Sequence, residues 1–244
     1  MDFEQFNNLG HTELKKICTD MGLKIRRSKT EMISQICDAF KEYEEYKKKK
    51  IDKYRKYEQL GEKGKEGTTY LVKTKNNKEY AMKTFRRQKS SDTLQKEATL
   101  QKMAADYGAS PNVVDIDTVS KYIVMEKMDF HLLDKIKEQG YILTKEQQKQ
   151  IIGIYKKLDK AKVFHGDANL LNYMYKNNEL YIIDFGMSKE ITSALINKLG
   201  TSTPNINIMT IGIALKLREM GCPSTSYEYI IKYLNDEQKQ QFGF

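Results

Sequence analysis

Asp167, Asn172 and Asp184 are the residues whose types and spacing could do chemistry. Asp167 closes the short apolar run at 162–164 and Asp184 closes a second run at 180–183, each with the length of a buried strand. Asn172 lies five residues beyond Asp167 on the same loop, so HGDANLLN and LYIIDFG would bring two carboxylates and an amide together at strand ends. Hard oxygen donors arranged this way suit a magnesium ion held against a polyphosphate. Asn172 and Asp184 would take the metal, and Asp167 would accept the proton of an attacking hydroxyl. That chemistry is phosphoryl transfer.

Such groups need a frame that also holds the phosphates. LGEKGKEGTTYLVKTKNNKEYAMKTF, residues 60–85, reads as three strands separated by a glycine turn and by the turn 75–78. Gly61, Gly64 and Gly67 would let a hairpin backbone lie close over phosphates, although a merely flexible hairpin carries such glycines too. Ala81 and Lys83 fall on one strand face, where Ala81 leaves room for a base and Lys83 can bridge phosphate oxygens. A lysine buried there requires an anion beside it. A helix is expected over 92–105, carrying Glu97, and strands over 113–116 and 122–125. The alternation Tyr122, Val124, Glu126 would suit any edge strand. Helical periodicity over 144–160 places Ile151, Ile152, Tyr155 and Leu158 on one face, leading into the strand before Asp167.

His165-x-Asp167-x4-Asn172 followed by Asp184-Phe185-Gly186, with Lys83 and Glu97 upstream, resembles the protein kinase-like superfamily over residues 60 to about 220. The resemblance implies an α+β, bilobal protein kinase-like fold that uses ATP and Mg2+. It gives Asp167, Lys83 and Glu97 catalytic roles: Asp167 orients or deprotonates the acceptor, Lys83 neutralises charge, and Glu97 holds Lys83. Asn172 and Asp184 become the metal ligands. YIVMEKMD resembles the family's hinge, with Met125 at the back of the pocket and backbone groups from Glu126 to Met128 on the adenine. The glycine spacing is GxxGxxG rather than GxGxxG, and Thr69 stands where a valine usually roofs the base. Gly166 replaces an arginine, so activity should not depend on phosphorylation of an activation loop, and Asn169 replaces a lysine. This His-Gly-Asp pattern is more similar to small KEOPS-complex and RIO-type kinases, or to aminoglycoside phosphotransferases. Only 58 residues follow Gly186, no Ala-Pro-Glu is present, and Asn207 is expected where the core helix usually carries aspartate, so the C-lobe should be truncated.

The first forty residues have another pattern. Thr12 is expected to cap a helix presenting Leu14, Ile17, Cys18 and Met21, with Gly22 as its stop. A basic extended stretch follows, and Ser28 is expected to cap a second helix presenting Met32, Ile33, Ile36 and Phe40. Helix, extended segment, helix resembles a SAP module, a small DNA-binding fold. That resemblance points to Lys24, Arg26, Arg27, Ser28 and Lys29 as contacts to the DNA backbone. A helical pair that packs on the main domain or on another protein would read the same way. The expected division is 1–42 SAP-like module, 43–58 charged helical linker, 59–128 N-lobe and 129–244 short C-lobe.

The totals bound these readings. The chain has 244 residues, a formal charge of +9 and 31% charged side chains, so it is globular and its basicity permits phosphate partners without requiring them. Residues 41–60 carry eight basic and five acidic side chains, whereas residues 1–40 carry six of each, so the excess is concentrated in the linker. Three scattered cysteines exclude a disulfide framework, MDFEQFNN is not a signal peptide, and no apolar run reaches spanning length. An intracellular location follows, with no membrane partner. The lysine-rich style and SAP-like module would suit a large DNA virus, which would place the protein in host cytoplasm, nucleus or virion. The expected function is an ATP- and magnesium-dependent kinase directed at serine or threonine of a protein substrate and localised to DNA. The alternatives are a small-molecule phosphotransferase and a non-catalytic nucleotide- or DNA-binding scaffold.

Overall fold

Beyond residue 54, β-branched and aromatic runs alternate with glycine and asparagine turns, and five of them pair into one sheet. The structure, a computed structural model, describes residues 6–51, 53–61, 64, 66–86 and 88–244, the side chains of 43 and 46–51 excepted. It divides into two units, residues 1–55 with 73–78 and residues 56–72 with 79–244.

In the first unit, α1 spans His11–Asp20 and α2 spans Lys29–Ile51. Leu14 and Cys18 pack with Met32, Ile33 and Ile36, and Phe6 stacks on Phe40 at 5.9 Å. Gly10, not Thr12, is the cap: its N–H donates to the Glu13 carboxylate at 2.7 Å, a reach-back that fixes the helix start two residues earlier than expected. Met21 also departs from expectation. It sits at the C-cap, where the helix has ended, and is 37% exposed. Gly22 adopts φ +68 and lets the Leu23 N–H close back on the Cys18 carbonyl at 2.8 Å, which stops the helix as expected. Ser28 caps α2 through the Glu31 N–H. α2 then continues unbroken past Phe40 to Ile51, so the expected 42/43 boundary falls inside a helix. The side chains of Lys48 and Lys49, which i,i+4 spacing would pair with Glu44 and Glu45, lie outside the described residues.

The second unit begins with β1 (Arg55–Leu60), β2 (Gly67–Lys73) and β3 (Glu79–Phe85), followed by α3 (Ser91–Asp106), β4 (Val113–Asp117) and β5 (Tyr122–Glu126). The sheet order is β1-β2-β3-β5-β4, and β1 starts within the stretch expected to be linker. β5 is an internal strand: Ala81 opposes Met125 and Lys83 opposes Ile123 on one side, with β4 on the other. Tyr122 to Met125 are all buried, so the alternation expected of an edge gives way to a strand covered on both faces. Leu94 and Ala98 of α3 pack with Ala81, Phe85, Ile123 and Met125 beneath the sheet. Gly67 owes its identity to strand packing. A Cβ there would stand 2.0 Å from the Thr84 carbonyl oxygen on β3, which no side chain tolerates.

The helical half follows. β6 (Phe130–His131), α4 (Leu132–Glu138), α5 (Lys145–Lys160), β7 (Val163–Phe164), β8 (Tyr173–Lys176), β9 (Glu179–Ile182) and β10 (Lys189–Glu190) lead into α6 (Ser193–Leu199), α7 (Thr210–Glu219) and α8 (Asp236–Phe242). α5 starts on a capping box between Thr144 and Gln147, and buries Ile151, Ile152, Tyr155 and Leu158 in the main core. β7 pairs with β10, and β8 with β9, so the two loops bearing Asp167 and Asp184 both run between the β7–β10 ladder and the β8–β9 hairpin. The content, 48% helix and 19% strand, agrees with the expected α+β class. Among the described residues no helix is long and apolar enough to cross a membrane.

Candidate active site

Three side chains far apart in sequence meet at Lys83. Its Nζ donates to Glu97 Oε1 at 2.8 Å and to Asp184 Oδ1 at 2.6 Å. β3 supplies the lysine, α3 the glutamate, and the turn after β9 the aspartate. Burial disfavours the charged amine, but the two carboxylates outweigh it and hold the Lys83 pKa above its ordinary value. Asp184 shows the converse. Burial works against its charge, yet Lys83 and the Gly186 N–H keep its pKa below the usual aspartate value. Asp184 sits at φ +67, a strained conformation for a residue with a side chain, and its carboxylate is 49% exposed beside the amine.

Asp167 and Asn172 form the second pair. Asn172 Nδ2 donates to Asp167 Oδ2 at 2.9 Å, and the Asn169 N–H donates to Asp167 Oδ1 at 3.1 Å. Asn169, the residue in place of a lysine, thus shapes the loop, and its own side chain accepts from the Leu171 N–H. With its nitrogen committed to Asp167, Asn172 offers its amide oxygen, the atom that can ligate a hard cation. Asp184 and Asn172 together supply oxygen donors of the right chemistry for magnesium. Among the described residues no cluster of three His, Cys, Asp or Glu side chains could hold a metal by itself, so phosphate and water oxygens would have to complete the shell.

His165 locks the two loops together. Its fully buried ring faces the Asp167 carbonyl at 3.1 Å and the Ile183 carbonyl at 3.0 Å, and meets the Phe185 ring edge-on at 5.0 Å. Burial holds this imidazole below its ordinary pKa despite the two carbonyls. Gly166 adopts φ +78, with a virtual Cβ 3.3 Å from the Met187 carbonyl, so the position that lost its arginine is also one that favours glycine.

The support beneath His165 is not where sequence reasoning placed it. Asn207, expected to replace the core helix's aspartate, instead donates to the Thr201 hydroxyl at 2.6 Å. Asn205 does the work. Its Oδ1 accepts from the His165 N–H at 3.0 Å, while its Nδ2 donates to the Val163 carbonyl and to Asp159 Oδ1, both at 2.7 Å. Both asparagines lie in a wide π-type turn, Asn205–Met209, that precedes α7, and Asn205 is the one that reaches the loop. Asp159, on α5, also accepts the N–H groups of Asn205 and Ile206 at 3.0 and 3.1 Å. Burial raises its pKa against those bonds. Gly212 of α7 completes the support, since a Cβ there would lie 2.7 Å from Ala168 Cβ in the loop.

The remaining expected positions divide. Ala81 is buried opposite Met125, and Met128 is buried two residues beyond β5. The Glu126 carboxylate accepts from Asn112 twice at 3.1 Å and from Lys176 at 3.0 Å, and its N–H donates to the Asn112 carbonyl. Burial opposes its charge, but the Asn112 and Lys176 bonds depress its pKa. Gly61, at φ +70, and Gly64 are exposed, whereas Gly67 lies within β2. In the other unit, Lys24, Arg26, Arg27, Ser28 and Lys29 are all exposed. Lys29 donates to the Asn7 carbonyl at 2.9 Å.

Comparison with known proteins agrees with this geometry. The family model described as the protein kinase domain matches residues 54–205. A probable bifunctional tRNA threonylcarbamoyladenosine biosynthesis protein of Methanocorpusculum labreanum is 33% identical over 119 residues, covering 49% of this chain and 21% of the relative. The KEOPS complex subunit Bud32 of Pyrococcus abyssi is 28% identical over 49% of this chain and 55% of its own length. A probable serine/threonine-protein kinase BUD32 homolog of Archaeoglobus fulgidus is 26% identical over 48% of this chain and 57% of its own. The chain thus spans about a fifth of the first of these relatives and little more than half of the other two. With more than half of its residues matched by that family model, the chain belongs to the protein kinase family, and its His-Gly-Asp loop in place of His-Arg-Asp makes it an atypical member.

Proposed function

We propose that the chain transfers the γ-phosphoryl group of ATP to a serine or threonine hydroxyl of a protein. The observation that carries this reading is the simultaneous bonding of Lys83 to Glu97 and Asp184. In the reaction, Lys83 bonds phosphate oxygens while Glu97 keeps its amine in place. Asp167 Oδ accepts the acceptor's proton as the new phosphate ester bond forms and ADP leaves. Asn172 and Asp184 would hold magnesium, which when bound neutralises phosphate charge and aligns the leaving oxygen. The amides of Glu126 and Asp129 are already engaged, by Asn112 and Tyr175, which leaves those of Lys127 and Met128 to meet the base. Gly61 and Gly64 allow the hairpin to cover the phosphates. The exposed set from Lys24 to Lys29 beside the N-terminus of α2 suits contacts to DNA phosphates, and we assign it that role.

Incubation with γ-labelled ATP, magnesium, a mixture of basic proteins and a set of small hydroxyl compounds tests the reading, with Asp184→Ala as control. Label on protein in the wild type alone is the expected result. Label on a small molecule would replace the protein acceptor with a small-molecule phosphotransferase reaction. Binding of ATP without transfer would leave a nucleotide-binding scaffold. DNA affinity measured alongside should fall steeply with salt and with Arg26→Ala and Arg27→Ala, and unchanged affinity would remove the DNA assignment.

A second reading draws on the relatives' names, which place two of them in KEOPS assembly or tRNA threonylcarbamoyladenosine synthesis. In it, the same site works within a protein assembly. Label transfer that appears only when a partner protein is added would favour it.

A further inference from the structure

Lys89 belongs to none of the motifs, yet its side chain is more deeply covered than that of Lys83, with exposures of 8% and 14%. Its Nζ donates to Glu97 Oε2, so the two oxygens of one buried carboxylate each take a different lysine. It also donates to Glu66 Oε2 at 2.6 Å. Both lysines stand over the Phe85 ring, at 4.4 Å for Lys89 and 5.1 Å for Lys83. Glu66 immediately precedes Gly67, at the end of the glycine hairpin. Its Oε2 lies 2.9 Å from where a Cβ would stand on Gly186, and Asp184 Oδ1 lies 3.5 Å from the same point. A half-exposed carboxylate therefore reaches into the metal loop beside another carboxylate, a placement that costs energy unless cations offset it. Two lysines do so.

We propose that Lys89 is a second phosphate-binding lysine and that the Glu66 carboxylate occupies, in the free protein, the place of a nucleotide phosphate. The inference rests on the nucleotide reading above. A metal-bound triphosphate brings further negative charge to the spot where Glu66 lies, so Glu66 must withdraw. Its departure would leave the Lys89 amine covered with only half of its anionic partners, a costly state. A phosphate oxygen restores the balance, and the ligand class is a nucleoside triphosphate rather than a nucleoside.

Calorimetric titration of the full chain with a magnesium-bound, non-hydrolysable ATP analogue, and separately with adenosine, tests this. Lys89→Met should weaken the analogue by about tenfold or more and leave adenosine unchanged, as expected for loss of a charge-assisted hydrogen bond. Lys89→Arg should restore most of the loss. Glu66→Gln should tighten the analogue severalfold without touching adenosine. Equal weakening of both ligands by Lys89→Met, or no change in either, would overturn the proposal while Lys83→Met still removed the preference for the triphosphate. Should Lys89→Met fail to fold, Glu66→Gln decides, because unchanged analogue affinity would refute displacement of that carboxylate. A wild type that binds adenosine and the analogue equally would instead remove the nucleotide reading itself.

Discussion

Asp184→Asn should lower phosphoryl transfer at saturating ATP and acceptor by a factor on the order of 10^3, while the melting temperature moves little. Asparagine tolerates the positive φ of this position better than alanine, so the backbone strain is not the variable being changed. What is lost is the negative charge that faces both Lys83 and the expected cation. Stability should respond weakly because the carboxylate is 49% exposed and Lys83 keeps Glu97. The pH dependence has a definite sign. The Asp184 pKa is depressed in the folded protein, so its contribution is complete above the ordinary aspartate value of about 4 and is lost as pH falls through the lower folded value. A loss of activity between pH 5 and 7 would therefore have to come from another group. Initial rates measured across that range check both points.

Asp159→Ala should be the largest stability change outside the apolar core. It removes the acceptor for the buried Asn205 N–H and Asn205 amide and for the part-buried Ile206 N–H. Stranded donors cost about 1–3 kcal/mol each and are not fully additive, so a loss of about 3–5 kcal/mol is expected. For a chain of this size that corresponds to a melting temperature about 10 °C lower. Activity should fall further than stability, because Asn205 also holds the His165 N–H, and through it the loop bearing Asp167. Asp159→Asn, which keeps one acceptor oxygen, should recover part of both. Thermal denaturation and initial rates on the two variants provide the comparison.

These particulars show what a single sequence discloses. The groupings that the structure brings together, Lys83 with Asp184 and Asp167 with Asn172, were legible, because their residue types stand in a fixed order and the strand and helix periods place them. Glu97 was legible for the same reason. The residues that hold them were not. Asp159 and Asn205 are 46 apart, and their pairing depends on a π-type turn that leaves no period in the text. Lys89 reads as one more cation in a basic loop until Glu97 is seen to divide its oxygens between two amines. Gly67 looked like part of a phosphate-covering set, whereas its missing side chain is required by the Thr84 carbonyl. The cap at Gly10 escaped notice because Thr12 offers a hydroxyl and Gly10 no side chain at all, although Glu13 three residues on was the available signal.

The central claim is that Lys83, Asp184 and Asn172 grip a metal-bound triphosphate. Crystals grown with magnesium and a non-hydrolysable ATP analogue test it most directly. The account predicts phosphate density within hydrogen-bond reach of Lys83 Nζ and a cation whose protein ligands are the Asp184 carboxylate and the Asn172 amide oxygen. Nucleotide bound elsewhere, or a phosphate chain with its cation remote from Asp184, would contradict it.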